Sequence, residues 1–97
     1  MALLSAYPKL GCTGGPYKTL QTWGVSDEVL CAGNDSVYSF LRNVIDEVIP
    51  LFPGRFIHIG GDECPKARWK KCNKCQLLMK SQNLKDEMAL QIGRAHV

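Results

Sequence analysis

A short apolar run, Phe56-Ile57-His58-Ile59, follows directly on the helix-stopping pair Pro53-Gly54, and it limits what this chain can fold into. Apolar residues on both faces of so short a segment fit a strand buried on both sides, as in a parallel sheet. Upstream, Asn34-Asp35-Ser36 offers consecutive N-cap candidates. Behind them Val37, Phe40, Leu41, Val44, Ile45, Val48 and Leu51 or Phe52 recur at three- and four-residue spacing, which predicts a helix ended by Pro50 and Pro53-Gly54. Helix, tight turn and buried strand make half of a βα repeat. Downstream, Pro65 marks a helix start, and the pattern from Lys66 to Gln91 is helical in pieces, with a break near Asn83. A lone parallel strand leaves two unpaired edges, and 97 residues bury too little surface to offset its ordering. The expected class is therefore α/β, and the chain is expected to be part of a larger protein.

The rest of the chain adds loops and cysteines. Ala2 to Leu10 reads as a helix end broken at Pro8. Gly11 to Gly33 is rich in Gly, Thr and Pro but holds Tyr17, Trp23 and two cysteines, so an ordered, functional or elaborated loop is expected. No stretch approaches the roughly 18 apolar residues a membrane span requires, and Met1-Ala2-Leu3-Leu4 is a poor signal peptide. The net charge of +3 is mild. Lys66, Arg68, Lys70, Lys71 and Lys74 cluster, but only Trp69 interleaves them as an aromatic, so a solvated helix face is expected and no nucleic-acid partner is assigned. Cys12, Cys31, Cys64, Cys72 and Cys75 are an odd set. A disulfide between Cys12 and Cys31 would imply an oxidising compartment. Alternatively Cys64, Cys72 and Cys75, with His58 as a possible fourth ligand, could hold zinc, although a second Cys-x-x-Cys pair is absent.

Active sites in α/β proteins gather at the carboxyl ends of strands, and Asp62 and Glu63 stand there, behind Gly60 and Gly61. Two adjacent acids after a buried strand are costly to desolvate without partners or a task. The glycines let a ligand approach the backbone closely. His58 shares a strand face with Gly60, so its ring is expected either as a core residue or behind the carboxylates. The competing reading of the acid pair is a helix N-terminal cap.

His58-Ile59-Gly60-Gly61-Asp62-Glu63 resembles the His-x-Gly-Gly-Asp-Glu signature of family 20 glycoside hydrolases, the β-N-acetylhexosaminidases. The likeness extends upstream through Ala6-Tyr7-Pro8, Cys12 to Tyr17, Trp23-Gly24-Val25 and Cys31 to Asn34, and downstream through Pro65 to Gln76. It implies a fragment of a (β/α)8 TIM barrel that spans about the third helix region, the fourth strand (Phe56 to Ile59) and the fourth helix. It also implies removal of terminal N-acetylglucosamine or N-acetylgalactosamine from glycans with retention of configuration, by a substrate-assisted route in place of the usual two-carboxylate scheme. On that resemblance Glu63 is the general acid and then base, and Asp62 orients the 2-acetamido group that attacks the anomeric carbon. His58, Gly60 and Gly61 are expected to bind substrate or support the acids. A donor acid must keep its proton near neutral pH, which burial and a second carboxylate both favour. No cofactor and no metal is assigned to this site, and the parent enzyme is expected in the periplasm or outside the cell.

Much of the family's site has no counterpart here. The substrate-gripping arginine, the Pro-Gly-His element and the later pocket aromatics are missing, and Trp23 and Trp69 do not replace them. Met1 is expected to be an arbitrary start, and the chain alone is expected to be inactive. The catalytic segment is placed at residues 1–91. Residues 92–97 interrupt an amphipathic helix with Gly93 and match the translation of a common sequencing adapter, so they, with His96, are expected to be non-native. Two other classes of function compete: a small zinc-binding interaction module built on Cys64, Cys72 and Cys75, and a carbohydrate-binding remnant that would need the missing gripping residues.

Overall fold

In the computed structural model, which describes residues 1–95, helices carry the chain and loops carry the chemistry. Helix α1 (Ala2–Ala6) runs into a 3-10 turn (Pro8–Leu10), because Pro8 cannot continue the α-helical bonding but fits the first turn of a new one. Helix α2 (Asp35–Leu51) begins where Asn34 Oδ1 accepts the Ser36 amide at 3.0 Å. Asn34 also ties back to the first segment, donating from Nδ2 to the Lys9 carbonyl at 3.0 Å. Pro50 lies inside the last turn of α2, so the helix reaches Leu51 instead of stopping before the proline. Near a helix end the missing amide removes a single bond, and Phe52 N still closes on Val48 O at 3.1 Å.

The second half is helical in pieces. Helices α3 (Ala67–Lys71), α4 (Asn73–Ser81) and α5 (Glu87–Ala95) are separated at Cys72, whose backbone is extended, and around Asn83, whose φ is +52°. The break near Asn83 follows the expectation. The one at Cys72 does not follow from apolar periodicity. Helix α5 continues through Gly93 to Ala95, so the glycine does not interrupt it, while His96 and Val97 of the expected non-native tail lie outside the described residues.

Packing divides into two centres. Leu4, Leu10 and Val37 join α1, the 3-10 turn and the start of α2. Cys31, Ala32, Trp69, Cys72, Cys75, Met79 and Leu90 join the end of the long loop to α3, α4 and α5. The centres are stitched by an antiparallel bridge between Gly11 and Leu30, by Cys31 N donating to Leu10 O at 2.8 Å, and by Trp69 Nε1 donating to Leu30 O at 2.9 Å. The Arg68 guanidinium pairs with Glu28 from the same loop. The ends of Gly11 to Gly33 are thus tied down through Tyr17 and the cysteines, as expected, whereas its middle, residues 18–25, is exposed and Trp23 packs against nothing among the described residues.

The expected strand is not formed. Residues 56–59 carry no strand pairing, and Phe56 and Ile59 are 88% and 69% exposed. A parallel strand exists only through the ladder bonds of its neighbours, and no other strand is present among the described residues to supply them. The apolar stripe of α2 is open in the same way, since only Val37 is buried while Val44, Ile49 and Leu51 are exposed. No helix among the described residues is long and apolar enough to cross a membrane.

Candidate active site

All six residues from His58 to Glu63 are exposed, and the loop they form turns through its backbone. Gly60, Gly61 and Glu63 have φ of +72°, +101° and +45°. Such angles cost a residue with a side chain about 1–2 kcal/mol, which explains the two glycines and makes Glu63 the exception. A side chain held at positive φ by its surroundings is a feature that clusters at functional sites. Here the surroundings are two clamps. Gln91 Nε2, from α5, donates to the Gly61 carbonyl at 2.5 Å. Lys66 Nζ donates to the Cys64 carbonyl at 2.6 Å and to Gln91 Oε1 at 2.5 Å, and it also sits over the Trp69 ring at 5.5 Å. The clamps grip the backbone on either side of Asp62 and Glu63.

Asp62 and Glu63 line one open cleft of about 410 Å³, together with Gly61, Glu28, Leu4, Leu30 and Trp69. The structure therefore brings both acids and Gly61 to a common space that is otherwise lined largely by apolar residues. His58 and Gly60 are not part of that lining. The His58 ring folds back on its own loop, where Nδ1 accepts the Gly60 amide at 3.0 Å. It is neither a core residue nor, among the described residues, a hydrogen-bond partner of a carboxylate. The helix-cap reading of the acid pair also fails, because α3 starts at Ala67 and Lys66 occupies its N-cap position.

The cysteines group differently from either sequence reading. All five are free thiols, so the Cys12–Cys31 disulfide is not formed. The sulfurs of Cys12, Cys31, Cys72 and Cys75 all lie within 4.8 Å of one another. Cys64 stands outside that group, its sulfur against the carbonyl of Pro65 at 4.0 Å. Donation from Cys12 and then Cys75 draws the Cys31 thiol down to about 2, against the opposing effect of burial. The same contacts push Cys12 up, first through Cys31 and then through Cys75. For Cys75, Cys12 acts to lower the value, but Cys31 and burial outweigh it and leave it near 12. The sequence signal for this cluster was the Cys72-x-x-Cys75 spacing; Cys12 and Cys31, far away along the chain, needed the fold.

Residues 1–94 match the glycosyl hydrolase family 20 catalytic domain. The chain belongs to that family. It is 57% identical over 91 residues to a beta-hexosaminidase of Porphyromonas gingivalis, an alignment that takes in 94% of this chain and 12% of that protein. Among solved structures it superposes on the Flavobacterium johnsoniae chitobiase with a TM-score of 0.87 at 39% identity, covering 93% of this chain and 14% of that one. The corresponding values for the beta-N-acetylhexosaminidase of Bacteroides fragilis are 0.80, 44%, 94% and 17%. The chain thus spans about an eighth to a sixth of the length of these family 20 relatives. Membership of a family of TIM-barrel enzymes removes the independent zinc module as an account of the chain, and the position of Cys64 removes its proposed ligand set.

Proposed function

We propose that the protein to which this chain belongs is a β-N-acetylhexosaminidase that removes terminal N-acetylglucosamine or N-acetylgalactosamine from glycans, and that this chain supplies the acid-bearing wall of its pocket. Helix α2 is then the third helix region of the barrel, residues 56–59 its fourth strand, and α3 with the helices after it the fourth helix region. The observation that carries the reading is the loop itself. In a family 20 chain, Asp62 and Glu63 stand side by side on a bend, facing one cleft, with Glu63 held at positive φ. The exposed faces of α2 and of residues 56–59 support the barrel assignment, because flanking strands and helices would cover both.

The chemistry follows from two acids with different tasks. Glu63 protonates the leaving glycosidic oxygen, while the substrate's own 2-acetamido oxygen attacks the anomeric carbon from the opposite face. Asp62 orients that acetamide and balances the positive charge it gains. Glu63, now a carboxylate, then takes a proton from the water that opens the cyclic intermediate, which restores the acid and retains configuration. Gly60 and Gly61 keep the bend free of side chains, and His58 braces it through Gly60. The test is turnover of a chromogenic N-acetylglucosaminide by the complete enzyme. Glu63→Gln is expected to lower kcat by about 10²–10⁴-fold, and much less with a leaving group acidic enough to depart unprotonated. Equal loss with both leaving groups would remove Glu63 from the acid role. The 97-residue chain on its own is expected to show no turnover, since it contributes only one wall.

A further inference from the structure

The four clustered sulfurs come from two places that the chain must bring together. Cys12 and Cys31 lie on the two loop segments joined by the Gly11–Leu30 bridge, and Cys72 and Cys75 lie at the junction of α3 and α4. Sulfur–sulfur separations are 3.9 Å for Cys12–Cys75, 3.7 Å for Cys31–Cys72 and 3.7 Å for Cys31–Cys75. A disulfide needs about 2.05 Å between sulfurs, whereas four sulfurs at about 2.3 Å from a tetrahedral zinc are about 3.8 Å apart. These three separations match the second figure, and the remaining pairs lie within 4.8 Å. Cys31 and Cys75 are fully buried, Cys72 nearly so and Cys12 half-buried, so charge placed in the cluster is poorly solvated by water.

We propose that Cys12, Cys31, Cys72 and Cys75 form a structural tetrathiolate zinc site that pins the long first loop to the α3–α4 junction. Binding breaks the S–H bonds, forms four Zn–S bonds and releases the thiol protons to water; no electron moves. The surroundings suit the resulting negative charge. Cys72 is the N-cap of α4 and Cys75 lies in its first turn, where the helix dipole favours anions. The Gly33 backbone favours the thiolate form of both Cys31 and Cys75. Gly33 packs so closely on the backbone of Lys74 and Cys75 that a methyl group there would collide with it. Lys70, Lys71 and Lys74 flank the two ligands in sequence, which gives the basic run a local counter-charge role. Three of the seven residues in the larger apolar centre are cysteines, so this centre is built around sulfur as much as around hydrocarbon. Tetrahedral S4 donors select zinc or iron, and zinc needs no redox partner. The site is distinct from the acid loop, and Cys64, the cysteine next to Glu63, is not a ligand.

The experiment is metal analysis of the complete enzyme purified without chelator or added metal, paired with cobalt exchange. The expected result is about one zinc ion per chain, and, after exchange, the intense visible bands and sulfur-to-cobalt charge transfer of a tetrahedral thiolate site. Cys72→Ser and Cys75→Ser are expected to lose the ion, and Cys64→Ser to keep it. The wild-type spectrum decides the matter even if the ligand variants do not fold. Absence of stoichiometric zinc, iron in its place, a mass lower by the hydrogens of two disulfides, or equal metal loss in Cys64→Ser would each overturn the proposal.

Discussion

The cysteine centre and the acid loop lie a few residues apart in sequence yet are opposite in physical character. Between Trp69 and Met79 one face of the chain is buried, with Trp69, Cys72, Cys75 and Met79 packed into a centre that holds four clustered sulfurs, and its partners come from this same chain. From Phe56 to Glu63 every residue is exposed, and the backbone hydrogen bonds it makes gather at its far end, through His58 at Gly60 and Gln91 at Gly61. The difference is in where each region's partners come from. A thiol cluster at a helix junction needs four residues, and all are present. A parallel strand needs ladders on both edges, and a glycosidase pocket needs walls from several strands. The cysteine centre therefore finds its partners within this chain, whereas the acid loop leaves its apolar segment uncovered.

Hydrogen exchange should show the contrast most strongly. In the 97-residue chain, amides of residues 56–60 are expected to exchange at close to free-peptide rates, while those of Trp69 to Met79 are slowed on the order of 10³-fold, or about 4 kcal/mol of opening. In the complete enzyme the amides of residues 56–59 should join the slow class. Fast exchange there in the complete enzyme would end their assignment as a barrel strand.

Next in size is a change at the contact between the loop and α4. Gly33→Ala places a methyl group against the Lys74 and Cys75 backbone, where neither side can rotate away. Overpacking of that kind costs about 1–3 kcal/mol, read as a fall in Tm. Gly54→Ala is the informative partner, because a methyl there meets only the Phe56 carbonyl at 3.6 Å, an ordinary contact, on backbone outside the left-handed region. If Gly33→Ala were no worse than Gly54→Ala, the close approach would have no energetic weight.

Much of this was readable in the sequence, and the failures have physical causes. The N-cap at Asn34, the long helix behind it and the break at Asn83 follow from local rules that act within a turn or two. The family followed from the six residues His58 to Glu63, since their chemistry constrains them as a unit. The strand was expected from apolar composition, which reports what a segment could bury and not whether the partners are in the same chain. His58 was expected at a carboxylate or in the core, but rotation of the loop at Gly60 turns it onto its own backbone. The cysteine set was misassigned because sequence proximity favoured Cys64, whereas the Gly11–Leu30 bridge delivers Cys12 and Cys31 instead.

The smallest of the expected effects probes a polar link between the two regions. Gln91 joins Gly61 to Lys66 through both ends of its amide, and Lys66 in turn lies over Trp69 of the cysteine centre. Gln91→Ala removes two exposed or half-buried hydrogen bonds, worth about 0.5–1.5 kcal/mol each at most. The Tm is therefore expected to fall little. Kinetically the loss should be larger than thermally, because a misplacement of the acid by a fraction of an ångström weakens reaction more than folding. In the complete enzyme kcat should drop with KM nearly unchanged, and Gln91→Glu, which keeps an acceptor for Lys66 but loses the donor to Gly61, should fail to restore it. Full activity in Gln91→Ala would mean that the barrel around the loop, and not the clamp from α5, sets the position of Glu63.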